Sequence, residues 1–94
     1  MRIFEIVDKT GRKIYLTDER WRHINEEHPE MSPYIKEFEN VLQNPTKITS
    51  YQFDEKIRFF YKRAKERSEY ILIVVKYLNG EGYMITAYFV RKIQ

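Results

Sequence analysis

The chain has 94 residues, 17 of them Lys or Arg against 14 Asp or Glu, for a formal charge of +3, and 43% are hydrophobic and 16% aromatic. That length suits a single domain over residues 1–94 with one core, and no Pro/Gly/Ser-rich stretch divides it. With no cysteine, a disulfide framework and a thiolate metal site are both excluded, and a reducing cytoplasm is the expected location. Arg2, Glu5, Asp8 and Lys9 interrupt any signal-peptide core. The apolar run Tyr70 to Val75 is too short to span a bilayer, so no membrane partner is expected.

In chain order, Arg2 to Val7, the turn Asp8-Lys9-Thr10-Gly11 and an extended stretch Lys13 to Leu16 read as a short β-hairpin. Thr17 is a good N-cap for a helix from Asp18 to about His28, stopped by Pro29, with acids at Asp18 and Glu19 suiting the positive end of its dipole. Trp21, Ile24 and His28 share one face of that helix, and Glu19, Arg22, His23 and Glu26 lie on the other side. Ser32-Pro33 starts a second helix. Tyr34, Ile35, Phe38, Val41 and Leu42 give it an amphipathic spacing before Asn44-Pro45 ends it.

Beyond Pro45 the pattern becomes extended, with strands at Lys47 to Phe53, Ile57 to Arg63, Tyr70 to Tyr77 and Tyr83 to Arg91 joined by short polar turns. Ile71 to Val75 has no polar face, which places that strand centrally, between the second and fourth of the four. The expected fold class is therefore α+β: a short N-terminal β-hairpin, two α-helices, then a four-stranded antiparallel β-meander packed on the helices. The face turned away from the helices needs cover from aromatic side chains, the hairpin or a second subunit in a homodimer.

Histidine is the side chain best suited to proton transfer near neutral pH, and both histidines lie in the segment HINEEHPE. Five residues apart, His23 and His28 differ by about 140° around the helix axis, unlike the i, i+4 pair of a zinc motif. His28 ends the core-facing stripe, where it meets the sheet margin; the same position would also suit a histidine that only caps the helix and favours its dipole. His23 reads as more exposed. On the last strand, alternation sets Met84, Thr86 and Tyr88 on one face, two of them hydroxyls able to hold a phosphate.

Cations come from Lys76, Arg58, Lys62 and Arg91, and the run from Lys56 to Arg67 interleaves basic residues with Phe59, Phe60 and Tyr61. Such a strand can contact nucleic acid, or can simply present a solvated cationic face. There is no Gly-rich phosphate loop, HExxH or Rossmann fingerprint, so no cofactor is expected. Histidine, cations and hydroxyls suit acid/base cleavage of a phosphodiester.

The segment IYLTDERWRHINEEHPEM, the following helix ending NP, ILIVVKY and the final MITAYF resemble small phage and prokaryotic proteins of the barnase, EndoU, colicin and RelE-like nuclease superfamily, the BECR fold. The resemblance implies a metal-independent, toxin-like or phage-derived endoribonuclease, with RNA as substrate and a cognate antitoxin protein as partner. It maps the helix-motif histidines to His23 and His28 and the terminal hydroxyl motif to Thr86 and Tyr88. Lys76, Arg58 and Tyr61 are assigned to RNA by strand position. The other reading is a non-catalytic module that binds nucleic acid or protein through the basic aromatic strand 57–63.

Overall fold

The computed structural model describes all 94 residues. The elements run β1 (Arg2–Val7), β2 (Lys13–Thr17), α1 (Asp18–Glu27), a 3₁₀ segment (Pro29–Tyr34), α2 (Ile35–Gln43), β3 (Lys47–Tyr51), β4 (Asp54–Arg63), β5 (Tyr70–Tyr77) and β6 (Glu81–Val90). Thr17 caps α1 as expected, its hydroxyl accepting the Arg20 N–H at 3.1 Å. Pro29 ends the helix at Glu27, one residue short of the predicted end, because proline disfavours the helical conformation in the residue before it. His28 is therefore the C-cap (φ −137°, ψ 70°), its N–H still donating to Ile24 O. Two prolines four residues apart, Pro29 and Pro33, hold Pro29–Tyr34 in a 3₁₀ segment, so α2 starts at Ile35 and not at Ser32.

The four C-terminal strands do pair in an antiparallel meander, with β5 between β4 and β6. The sheet, however, is six-stranded and mixed, in the order β1-β2-β6-β5-β4-β3, which corrects the expected four strands. The N-terminal hairpin does not cover the sheet; it extends it, with β2 parallel to β6 over Lys13–Tyr15 and Glu81–Tyr83. Arg2 fastens this junction by bonding to Glu81 at 2.9 Å and to Glu5 at 2.8 Å, and its guanidinium lies 3.7 Å from the centre of the Tyr15 ring. The bond to Arg2 holds the Glu5 carboxyl below its usual range. Beneath the junction, Ile14 and Leu16 are fully buried in the main core.

Gly82 stands opposite Ile14 and Tyr77. A Cβ there would lie 2.7 Å from Lys76 O, 2.9 Å from Tyr77 Cδ1 and 3.0 Å from Ile14 Cδ1. Only glycine lets these strands approach so closely.

The helices cover one face. Ile24, Met31, Phe38, Val41 and Leu42 pack on Phe60, Ile73, Val75, Met84 and Ala87. The outer face carries a smaller apolar seam of Tyr61, Leu72 and Val74, flanked by Phe59, Tyr88 and Ile93. Its cover comes from the chain itself, as aromatic side chains and the C-terminal residues, with Gln94 N–H reaching Tyr61 Oη at 3.5 Å.

Simple alternation fails at one place on β6. Val74 pairs with Thr86 but Val75 pairs with Met84, so Ile85 is the extra residue of a β-bulge. The bulge sends Met84 into the helix-side core with Ala87 and leaves Ile85 beside Tyr88 in the outer seam. The expected grouping of Met84 with Thr86 and Tyr88 is thereby corrected, while Thr86 and Tyr88, opposite Val74 and Leu72, do share the outer face.

Candidate active site at the β6 margin

β2 pairs with β6 only as far as Tyr83, then turns into α1. The second half of β6 is thus an open margin, along which α1 runs. Trp21 meets Phe38 edge-on at 5.6 Å between ring centroids, and Ile24 is fully buried; together these fix where the helix ends. His28 emerges there and stacks on the ring of Tyr88, with centroids 5.0 Å apart and planes inclined by 23°.

The His28 side chain is one-third exposed, and its Nδ1 faces Glu30 Oε2 at 3.7 Å. Nε2 is the other nitrogen able to serve a substrate. A carboxylate facing one ring nitrogen can orient the imidazole, as in the nucleophile–base–orienter arrangement of hydrolases. No spacing in the sequence marks Glu30; the bend at Pro29 brings it back beside the ring.

Two residues before Tyr88 and on the same face, Thr86 Oγ1 is the one buried side-chain polar atom without a hydrogen-bond partner. Such atoms are uncommon in native folds and call for an explanation. A hydroxyl able to donate and accept, about 7 Å along the strand from Tyr88, is suited to a polar group that arrives with a substrate.

The other predicted site residues divide into separate places. His23 lies on the exposed side of α1, its Nε2 4.0 Å from Glu19 Oε1, so the two histidines do not converge. Lys76 is four residues along β5 from Leu72, the partner of Tyr88, which is about 13 Å of strand; its Nζ pairs with Asp54 Oδ2 at 3.5 Å. The Lys56 N–H, followed by Lys76, keeps the Asp54 carboxyl below its ordinary range. Arg58 stands opposite Val75, so it points to the helix side, and it donates to the carbonyls of Glu55 and Ile57. Lys62 donates to Asn44 O at 2.7 Å. Tyr61 shares the cross-strand row of Leu72 and Tyr88 but is 1% exposed.

The cations at the His28 end of the sheet are instead Arg91 and Arg67, which line a cleft of about 480 Å³ with Ser68 and Glu69. No sequence pattern marks Arg67 for this place. Its guanidinium rests 4.0 Å from the centre of the Phe89 ring, which faces the helix side of β6, opposite to Tyr88, and bonds to Glu69 at 2.5 Å. Only the fold of the Ala64–Glu69 connection, with Glu66 at φ +66°, turns it onto β6. No three His, Asp or Glu side chains converge as metal ligands would. No helix is long and apolar enough to cross a membrane.

The model of one protein family, described as phage-Barnase-EndoU-ColicinE5/D-RelE like nuclease2 (PBECR2), matches residues 3–93. No curated protein and no solved structure matches the chain.

Proposed function

Because the chain belongs to the PBECR2 family of phage Barnase-EndoU-ColicinE5/D-RelE-like nucleases, we propose that it is a metal-independent endoribonuclease whose chemistry takes place at the His28–Tyr88 margin. The observation that carries the reading is the His28–Tyr88 stack, which holds a one-third-exposed imidazole against a phenol on an open strand. In the proposed reaction the RNA 2′-oxygen attacks the adjacent phosphorus, its proton passes to a base, and the departing 5′-oxygen receives a proton from an acid. His28 Nε2 carries one of these protons. Tyr88 Oη and Thr86 Oγ1 position the phosphate, and Arg91 offsets charge gathering on the phosphorane. Glu30 orients the ring. The protein acts in the cytoplasm, as a toxin-like enzyme restrained by an antitoxin protein.

The test is cleavage of a labelled RNA pool in EDTA by wild type and by His28→Ala of equal thermal stability, with 2′,3′-cyclic phosphate ends assayed. Cyclic ends formed by wild type and lost in the variant support the reading. Absence of cleavage by folded wild type over a broad RNA set overturns it in favour of a non-catalytic nucleic-acid-binding module. That second reading draws on the dispersal of Lys76, Arg58 and Lys62 away from His28.

A further inference from the structure

The turns β1–β2, β3–β4 and β5–β6 meet at the end of the sheet opposite His28, around a cleft of about 430 Å³ lined by Arg12, Glu55, Lys56, Arg58, Tyr77, Leu78 and Asn79. Two guanidiniums address a single ring: Arg12 Cζ is 4.3 Å and Arg58 Cζ 5.9 Å from the centroid of Tyr77. Arginine laid on an aromatic face keeps its donors in a fixed fork, the form that suits phosphate oxygens.

The ring is itself immobilised. Tyr77 Oη donates to buried Asp8 at 2.6 Å, and Gly82 lets the ring lie on β6. The Asp8 carboxylate does not compete for the guanidiniums, since Thr10 N–H, Thr10 Oγ1, Arg12 N–H and Tyr77 Oη already bind it. Neither Arg12, Lys56 nor Arg58 has a carboxylate within 4.0 Å, whereas Arg2, Lys13, Arg22, Arg67 and Lys76 all do. Arg58 Nη1 donates to the carbonyls of Glu55 and Ile57 and Arg12 Nη1 to Thr10 Oγ1, so three cations keep uncompensated charge and free donors at one concavity, against the single carboxylate of Glu55, and form a site for a divalent or monovalent oxyanion.

We propose that this cleft is a second phosphate site, and, resting on the ribonuclease reading, that it grips a backbone phosphate of the same RNA strand at a distance from the bond being cleaved. Tyr77 lies five residues along β5 from Leu72, the partner of Tyr88. That is about 17 Å of strand, or about five nucleotides at a stacked spacing of about 3.4 Å.

The test follows backbone amide shifts of the whole chain with inorganic phosphate, then binding of a 2′-deoxy decanucleotide, which lacks the attacking hydroxyl. Phosphate is expected to move the Arg12, Lys56 and Asn79 amides in wild type and not in Arg12→Gln/Arg58→Gln. The double variant is expected to bind the decanucleotide about tenfold more weakly, with a salt slope lower by about 0.7. Lys56→Gln, a change at an exposed position, gives a weaker effect of the same sign should the double variant disturb the turns. Unmoved cleft amides, or variants that bind the decanucleotide as wild type does, overturn the site. Cleavage is read separately, so a protein that shows the cleft shifts but never cuts RNA keeps the phosphate site and loses the nuclease reading.

Discussion

The imidazole of His28 lies on the phenol of Tyr88 at 5.0 Å, joining the last residue of a helical motif to a strand sixty residues further along the chain. The contact makes opposite demands on the two rings, and substitutions separate them. Tyr88→Phe keeps the stack and removes the hydroxyl; Tyr88→Leu removes both; His28→Ala removes the proton carrier. Loss of a general acid or base costs about 10²–10⁴-fold, and that range is expected for His28→Ala in single-turnover RNA cleavage. A smaller loss for Tyr88→Phe than for Tyr88→Leu would assign the tyrosine to holding the ring, while equal losses would assign the hydroxyl to the phosphate. Equal rates for wild type and His28→Ala would reduce the histidine to a packing residue.

Thr17 governs the same site from the far end of α1. Its hydroxyl satisfies the Arg20 N–H, and Thr17→Ala is expected to cost about 1 kcal/mol, lowering Tm by about 4–8 °C. Thr17→Ser, which retains the oxygen, should recover most of the loss. A Tm for Thr17→Ala equal to wild type would show that packing of Ile24 alone fixes the helix start.

Gly82 is the position at which the mixed sheet is least tolerant. Gly82→Ala sets a methyl against Lys76 O, a backbone atom unable to swing away. Overpacking of this kind costs about 1–3 kcal/mol, measured as a lower denaturant midpoint at unchanged slope. Since the same methyl presses on Tyr77, phosphate shifts at Arg12 should weaken in parallel. A variant as stable as wild type would mean that β2 and β6 separate without cost.

Local chemistry made much of this structure legible. Thr17, Pro29 and Asn44-Pro45 punctuate the helices as their backbone preferences require, and the all-apolar run Ile71 to Val75 reports its central place in the sheet. The parallel pairing of β2 with β6 was hidden because it spans only three residues, and Ile14 opposite Gly82 leaves no pattern in either segment. The Ile85 bulge was hidden too: one inserted residue reverses the alternation before it without altering composition. At the site, helical spacing brought His28 to the sheet margin, and the outer-face pair Thr86 and Tyr88 survived the bulge because it precedes them. The cations were legible only in part, since strand position gives the face of a lysine or arginine but not its partner: Asp54 for Lys76, the Asn44 carbonyl for Lys62. Arg67 and Arg12 come from turns and Glu30 from the 3₁₀ segment, whose geometry depends on the completed fold.

Tyr77 provides a pH signature for the sheet end opposite His28. Burial, and then the adjacent Asp8 carboxylate, push its phenol above the ordinary 10.0. The folded protein therefore keeps this proton at pH values where the unfolded chain releases it. Stability from this group is complete below about pH 10 and declines as pH rises from there through the folded pKa, because the native state then binds more protons than the unfolded one. Tyr77→Phe abolishes that titration but also leaves buried Asp8 short of one donor, at a cost of about 1–3 kcal/mol near neutrality. Urea midpoints from neutral to alkaline pH should accordingly start lower in the variant and fall less steeply above pH 10, with lysines and the other tyrosines contributing equally to both proteins. Parallel curves above pH 10 would show that Tyr77 does not titrate differently in the two states, and an unchanged midpoint at neutral pH would show that the bond to Asp8 contributes nothing net.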